Sequence, residues 1–244
     1  MLFGGLAVAA FWVWVETKVD QPLVDMRVLR RRPVLMTNIT AVLVGFSMFA
    51  SFLLIPQFAQ TSERFGYGFG ATVTGAGLLM LPSTLVMLVA GPLAGRIATR
   101  ANSRLPLVIG TFFGMLAFLF YALFHGSVWE ICVGGALLGV GIGFSFASMA
   151  NLVVESVPRD EVGVATGINT IMRSLGGALG AQLVASLLTG KTIAGSAIPA
   201  EAAYTDAFIV AAVAAGLAMV AALAIPHTRR PQSQPVTTTA PAAA

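Results

Sequence analysis

The chain has 244 residues, of which 57% are hydrophobic and only 10% charged, and a mean hydropathy of +0.87. That leaves too few charges to coat a water-facing surface, which excludes an ordinary soluble domain. The net charge of +4 points to lipid rather than nucleic acid, because no basic cluster is interleaved with aromatic residues.

Residues 1–15 are apolar but short for a full span, and they lack the basic flank and cleavage site of a signal peptide. They are expected to form the end of a linker transmembrane helix that begins before this chain. Residues 16–33 then read as a basic connector carrying Lys18, Arg27, Arg30, Arg31 and Arg32. Apolar runs of about 20 residues, long enough to cross a bilayer core of roughly 30 Å, follow in succession. They predict six spans over residues 34–56, 71–94, 105–124, 131–154, 163–188 and 207–225. Residues 226–244, rich in Pro, Thr and Ala, are expected to be a disordered cytoplasmic tail. The fold class is therefore all-α, a polytopic membrane protein with a six-helix bundle over residues 34–225.

Between the second and third spans, Gly91-Pro92 closes an apolar segment that is broken earlier by Pro82. A short loop then carries Arg96, Arg100 and Arg104 at every fourth position. Charges at this spacing suggest a tight cytoplasmic hairpin able to meet helix ends and an anionic leaflet. With it inside, Lys18, Arg27, Arg30, Arg31, Arg32, Arg159, Arg229 and Arg230 also fall inside, and only Arg64 and Lys191 outside. The bias places both ends of the six-helix unit in the cytoplasm and the chain in the cell membrane.

In the fourth span, Gly135, Gly139 and Gly143 recur at every fourth position, continued by Ala147, Asn151 and Glu155. Gly176 and Gly180 repeat that spacing in the fifth. Small stripes let helix backbones approach closely in lipid, either as static packing or as a sliding surface in a moving protein.

Arg173 is the one charge near mid-bilayer, where it costs at least about 2.5–3.5 kcal/mol and usually faces an interior or a wet cavity. Thr166, Asn169, Thr170, Arg173 and Gly177 share a face by spacing, either the wall of an aqueous path or glue between helices. Ser148 or Asn151 of the fourth span are the expected neighbours of its guanidinium. Gln57 and Gln60, after Pro56, either bind a substrate or satisfy free backbone carbonyls. His125 and His227 are expected at the interfaces without metal partners, Trp12, Trp14 and Trp129 fit an aromatic belt, and Cys132 reads as a buried inert thiol. Carboxylates occur only near span ends. No HExxH, GxSxG or Walker A motif is present, so no enzyme and no cofactor or metal site is expected.

Three passages resemble the C-terminal half of a major facilitator superfamily transporter, in its fourteen-helix drug:proton antiporter branch. Pro56 to Gln60, followed by Gly75 to Pro82, resembles that branch's P-x-x-x-Q and G-x-x-x-x-P passage. The run from Gly91 through Gly95, Arg96 and Arg100 to Arg104 resembles the repeated Gly-x-x-x-Asp-Arg-x-Gly-Arg loop. Gly163 to Gly167 with Asn169, Arg173, Gly176, Gly177 and Gly180 resembles the penultimate helix. The loop departs from the pattern at Thr99, where Asp is usual, and at Asn102, where Gly is usual; Asn tolerates a left-handed turn. The resemblance implies half of a two-bundle transporter built from three-plus-three inverted repeats, with an N-terminal six-helix half missing from this chain. It implies export of amphipathic, often cationic small molecules, driven by a proton gradient. Transport of another metabolite on this fold, or a non-transporting membrane scaffold, are the alternatives.

Overall fold

The computed structural model describes residues 30–193 and 196–226. The expectations for the linker helix, Lys18, Arg27, Trp12, Trp14, His227 and the tail lie outside the described residues. Among these residues seven α-helices follow one another: α1 (Arg32–Gln60), α2 (Val73–Leu79), α3 (Leu81–Arg100), α4 (Arg104–Leu123), α5 (Val128–Ser156), α6 (Val162–Gly190) and α7 (Glu201–Leu223). With α2 and α3 taken together, six segments are long and apolar enough to cross a membrane. Among the described residues there is no strand, only an isolated bridge between Thr192 and Pro199.

Local chemistry sets the boundaries. A proline in the first turn opens α1, where its missing N–H costs nothing. Thr72 caps α2 by accepting from the Gly75 N–H at 3.1 Å. The α2–α3 break falls at Met80, just before Pro82, which cannot donate back to the preceding turn. Ser127 and Glu130 form a reciprocal capping box at the start of α5.

One boundary corrects the expected hairpin. The second span does not close at Gly91-Pro92 but runs helically through Pro92 to Arg100. Backbone polar groups in lipid have no partner other than their own helix, so a proline there is carried rather than obeyed. The turn is only three residues, Ala101 to Ser103, with Arg96 and Arg100 on α3 and Arg104 opening α4.

The packing has an internal pattern. Helix α1 lies most extensively against α6, as α5 does against α3, while α4 and α7 pack on each other and on α5 and α1 respectively. Exchanging α1 with α5, α3 with α6 and α4 with α7 reproduces these contacts. Because α1 and α5 start from opposite ends, the two triplets are inverted. The most deeply embedded spans are α5 and α1, whereas α2–α3 and α6 leave most of their length uncovered.

Contacts at each end tie the triplets together. At the arginine-rich end Ser103 Oγ donates to Glu155 at 2.8 Å, and the Arg104 guanidinium donates to the Leu223 carbonyl. At the other end Phe58 is ringed by Tyr67, Phe69, His125 and Tyr204, with centroids 5.3–5.7 Å away. His125 is thus not merely interfacial: its ring bonds the Tyr121 carbonyl and lies 3.2 Å from Glu201. Tyr67 donates to the Pro199 carbonyl, and burial pushes its phenol above the ordinary range, against the Thr61 hydroxyl and with Glu201 adding to the rise. Gly68 makes this loop possible, since its φ of 81° and the adjacent Thr61 carbonyl leave no place for a Cβ. Trp129 is exposed at the start of α5, and Cys132 is half-buried rather than buried.

Candidate functional site

Arg173 is the twelfth residue of α6, about 16 Å along the helix from Val162. Its backbone is pinned. A Cβ on Gly45 of α1 would overlap the Arg173 carbonyl oxygen and sit 2.8 Å from its carbon. One and two turns further on, Gly176 and Gly180 meet the backbones of Val42 and Phe46 just as closely. The side chain leaves this seam half-buried, with the guanidinium carbon 4.4 Å from the centroid of the Phe146 ring on α5. The expected neighbours, Ser148 and Asn151, are therefore not the ones met. Ser148 donates to the Phe144 carbonyl at 2.6 Å, and the aromatic face between the helices takes a weakly hydrated guanidinium well.

The polar face of α6 divides. Asn169 is buried, and its amide donates to Asn38 Oδ1 of α1 at 3.0 Å. It acts as glue between helices. Asn38, a lone amide in an apolar span, is a residue the sequence reading passed over. Thr166 and Thr170 are exposed, and Thr170 returns its hydroxyl proton to the Thr166 carbonyl at 3.1 Å. Asn151 is half-buried on α5.

Gln57 and Gln60 are not brought to this site. They lie twelve or more residues beyond Gly45 on α1, at least about 18 Å along it. Both border an open hollow with Phe52, Arg64 and Tyr204. Gln60 donates to the Pro56 carbonyl at 3.0 Å, which is the backbone-satisfying alternative.

The motif at the arginine-rich end is helical and externally placed. Arg96 and Arg100 are exposed on α3, and a Cβ on Gly91 or Gly95 would meet nothing within 4 Å. Thr99 donates to the Arg96 carbonyl at 2.8 Å. Asn102 does not adopt the expected left-handed conformation; no non-glycine residue described here has positive φ. Its side chain instead accepts from the Leu105 N–H at 2.8 Å and so caps α4. The negative charge at this turn comes from α5, through Glu155 on buried Ser103.

The glycine stripe of α5 packs on α3. Gly139 meets the Ser83 backbone, and a Cβ on Gly143 would lie 2.8 Å from that of Ala90, while Gly135 faces Ser83 and Tyr121 more loosely. The small side chains that α3 sets against α5 are those of Ala90 and Ala94, both buried with Phe144, and the Gly91 backbone also approaches Gly143. Gly134 under Tyr121 and Gly141 against Gly114 form a second close face toward α4. A four-residue spacing of small residues, as in Ala90-Ala94-Ala98 or Ala41-Gly45, was the available signal for these contacts.

Among the described residues no three His, Cys, Asp or Glu side chains are grouped to hold a metal ion. What the site offers is a fixed cation on an aromatic ledge, beside hydroxyls, inside a membrane bundle.

The chain is 28% identical over 189 residues to the multidrug resistance protein Stp of Mycobacterium tuberculosis, covering 77% of this chain and 34% of that protein. It is 26% identical to the multidrug resistance protein B homolog of the same organism, over 76% of this chain and 34% of the other. The methyl viologen resistance protein SmvA of Salmonella typhimurium is 25% identical over 82% of this chain and 39% of its own length. The chain thus spans about a third of the length of the curated relatives it matches. The sequence pattern of the Major Facilitator Superfamily covers residues 1–181, and with six described segments long and apolar enough to cross a membrane, packed as two inverted triplets, the chain belongs to that family of transporters.

Proposed function

We propose that this chain is the C-terminal bundle of a proton-coupled exporter of drug-like amphipathic molecules, in the fourteen-helix branch of the family. It works by alternating access against a second six-helix bundle. The observation that carries the reading is Arg173, a charge kept inside the spanning region, backbone-locked by Gly45 and resting on Phe146. A protein retains a charge at such depth where it faces an interior used by polar cargo. The uncovered lengths of α2–α3 and α6, with open space before Gly91, Gly95, Gly163 and Gly167, supply a surface for the second bundle. The names of the multidrug relatives support the substrate class. The buried Asn169–Asn38 bond favours one other reading, a static membrane scaffold, because it spends a candidate path residue on helix packing.

The deciding experiment uses sealed vesicles containing the longer protein of which this bundle is part, with an imposed pH gradient. Substrate-stimulated proton flux, abolished by Arg173→Ala with membrane insertion intact, is expected. Absence of flux with every compound tested, or equal loss of flux and insertion, favours the scaffold.

The orientation proposed is positive-inside, with the Arg96–Arg104 end in the cytoplasm. Ser103 is a poor reporter of it, being 1% exposed and bonded to Glu155. In a Cys132→Ala background, Ala101→Cys and Ala197→Cys, both exposed positions, are expected to label from opposite sides of the membrane in sealed cells. Labelling of both from outside overturns the topology.

A further inference from the structure

We propose that Arg173 is an anion-recognition point: the molecule bound between α5 and α6 carries an acidic group, such as a carboxylate or sulfonate. The inference rests on the transporter reading above and narrows its substrate class.

The guanidinium carries five N–H donors in one plane. The guanidinium carbon lies over the Phe146 ring, a contact that uses none of those donors, and among the described residues no hydrogen bond or ion pair to them is found. The ion pairs His125–Glu201 and Lys191–Asp206 lie at the far ends of the spans, as do Glu63 and Glu130. Glu155, Asp160 and Glu161 sit at the arginine-rich end. No described carboxylate lies at the depth of Arg173, and the nearest buried amide, Asn169, already donates its proton to Asn38.

An uncompensated charge in a low-dielectric region favours whatever brings the opposite charge and repels its own kind. Gly45 fixes the backbone under Arg173 and the Phe146 ring supports its guanidinium, while the side chain remains half-open. Beside it α6 exposes Thr166, Thr170 and Ser174, a polar wall for an entering molecule. The depth, about 16 Å inside the helix start, suits a small amphipathic acid that enters the bundle better than a lipid headgroup held at the interface.

The test uses three ligands with one ring system: 2-naphthoate, 2-naphthamide and 2-naphthylmethylammonium. Binding to the purified full chain in phosphatidylcholine nanodiscs is measured against empty discs, for the native protein and for R173K and R173Q. The native chain is expected to bind the carboxylate about tenfold or more tighter than the amide, and the ammonium weakest. R173Q should erase that margin, with circular dichroism and elution matching the native chain to show that the variant is folded; R173K should keep part of the margin. Three outcomes overturn the proposal: an unchanged margin in R173Q, equal binding of carboxylate and ammonium, or no binding of any ligand. Loss of naphthoate binding in proportion to added phosphatidylglycerol also overturns it, reassigning the site to a lipid phosphate. Failure here leaves the flux experiment on the longer protein to judge transport separately, and a charge margin without flux removes the transporter while keeping the anion site.

Discussion

Gly176→Ala is expected to destabilise the bundle by about 3 kcal/mol or more, the upper part of the range for overpacking a core. The added methyl would overlap the Val42 carbonyl oxygen and lie 2.6 Å from its carbon. Backbone atoms cannot rotate aside as a side chain can, so α6 must move off α1. That displacement reaches Gly180 on Phe46 and Gly45 on Arg173, because all three contacts lie in one seam. The control is Gly114→Ala on α4, where the new methyl meets only the Ala215 Cβ at 3.9 Å and partly fills a small void between α1, α4, α5 and α7. There the better helix propensity of alanine should leave stability unchanged or raise it by up to about 1 kcal/mol. Thermal unfolding of both variants in the same detergent makes the comparison. Equal losses would mean that glycine content, rather than the α1–α6 seam, governs stability.

The second expected result is that this chain, reconstituted by itself, moves no cationic or anionic dye in response to an imposed pH gradient. Alternating access needs two bundles rocking about a site between them, and the described residues form one. Proton coupling also needs a group that gains and loses a proton within the membrane. Arg173 does not qualify, since a guanidinium keeps its proton throughout the working pH range. The described carboxylates sit at the ends of the spans. Under the proposed function the proton-carrying group therefore belongs to the second bundle. Liposomes containing the purified chain and a panel of charged dyes provide the assay. Gradient-driven movement without another polypeptide would refute the single-bundle reading and direct attention to a dimer of this chain.

Several structural features were legible before any coordinates. Spans announce themselves because lipid demands about 20 apolar residues per crossing, and five of the six begin within about three residues of their expected starts. The last begins earlier, at Glu201, because a helix continues past the apolar core once Glu201 and Asp206 can reach water. The close approach at Gly139, Gly143, Gly176 and Gly180 was readable for a similar reason: four-residue spacing alone puts these residues on one helix face. Gly91 and Gly95 show the limit of that logic. They have the same spacing, yet a Cβ on either would meet nothing within 4 Å, while the side chains of buried Ala90 and Ala94 pack on α5.

What the sequence by itself determined was the number of spans among the described residues, the position of Arg173 along its helix and the candidate faces, since each follows from distance along one helix. Only the tertiary structure decided which face met which neighbour. Spacing placed Asn169 and Thr170 together, and packing separated them: Asn38 of α1, 131 residues away, drew one amide inward and left the hydroxyl outside. The same holds for Arg173, whose ring partner depended on how α5 and α6 rotate about their axes. That rotation is set by where glycines let two backbones touch, a property of helix pairs that no single helix contains.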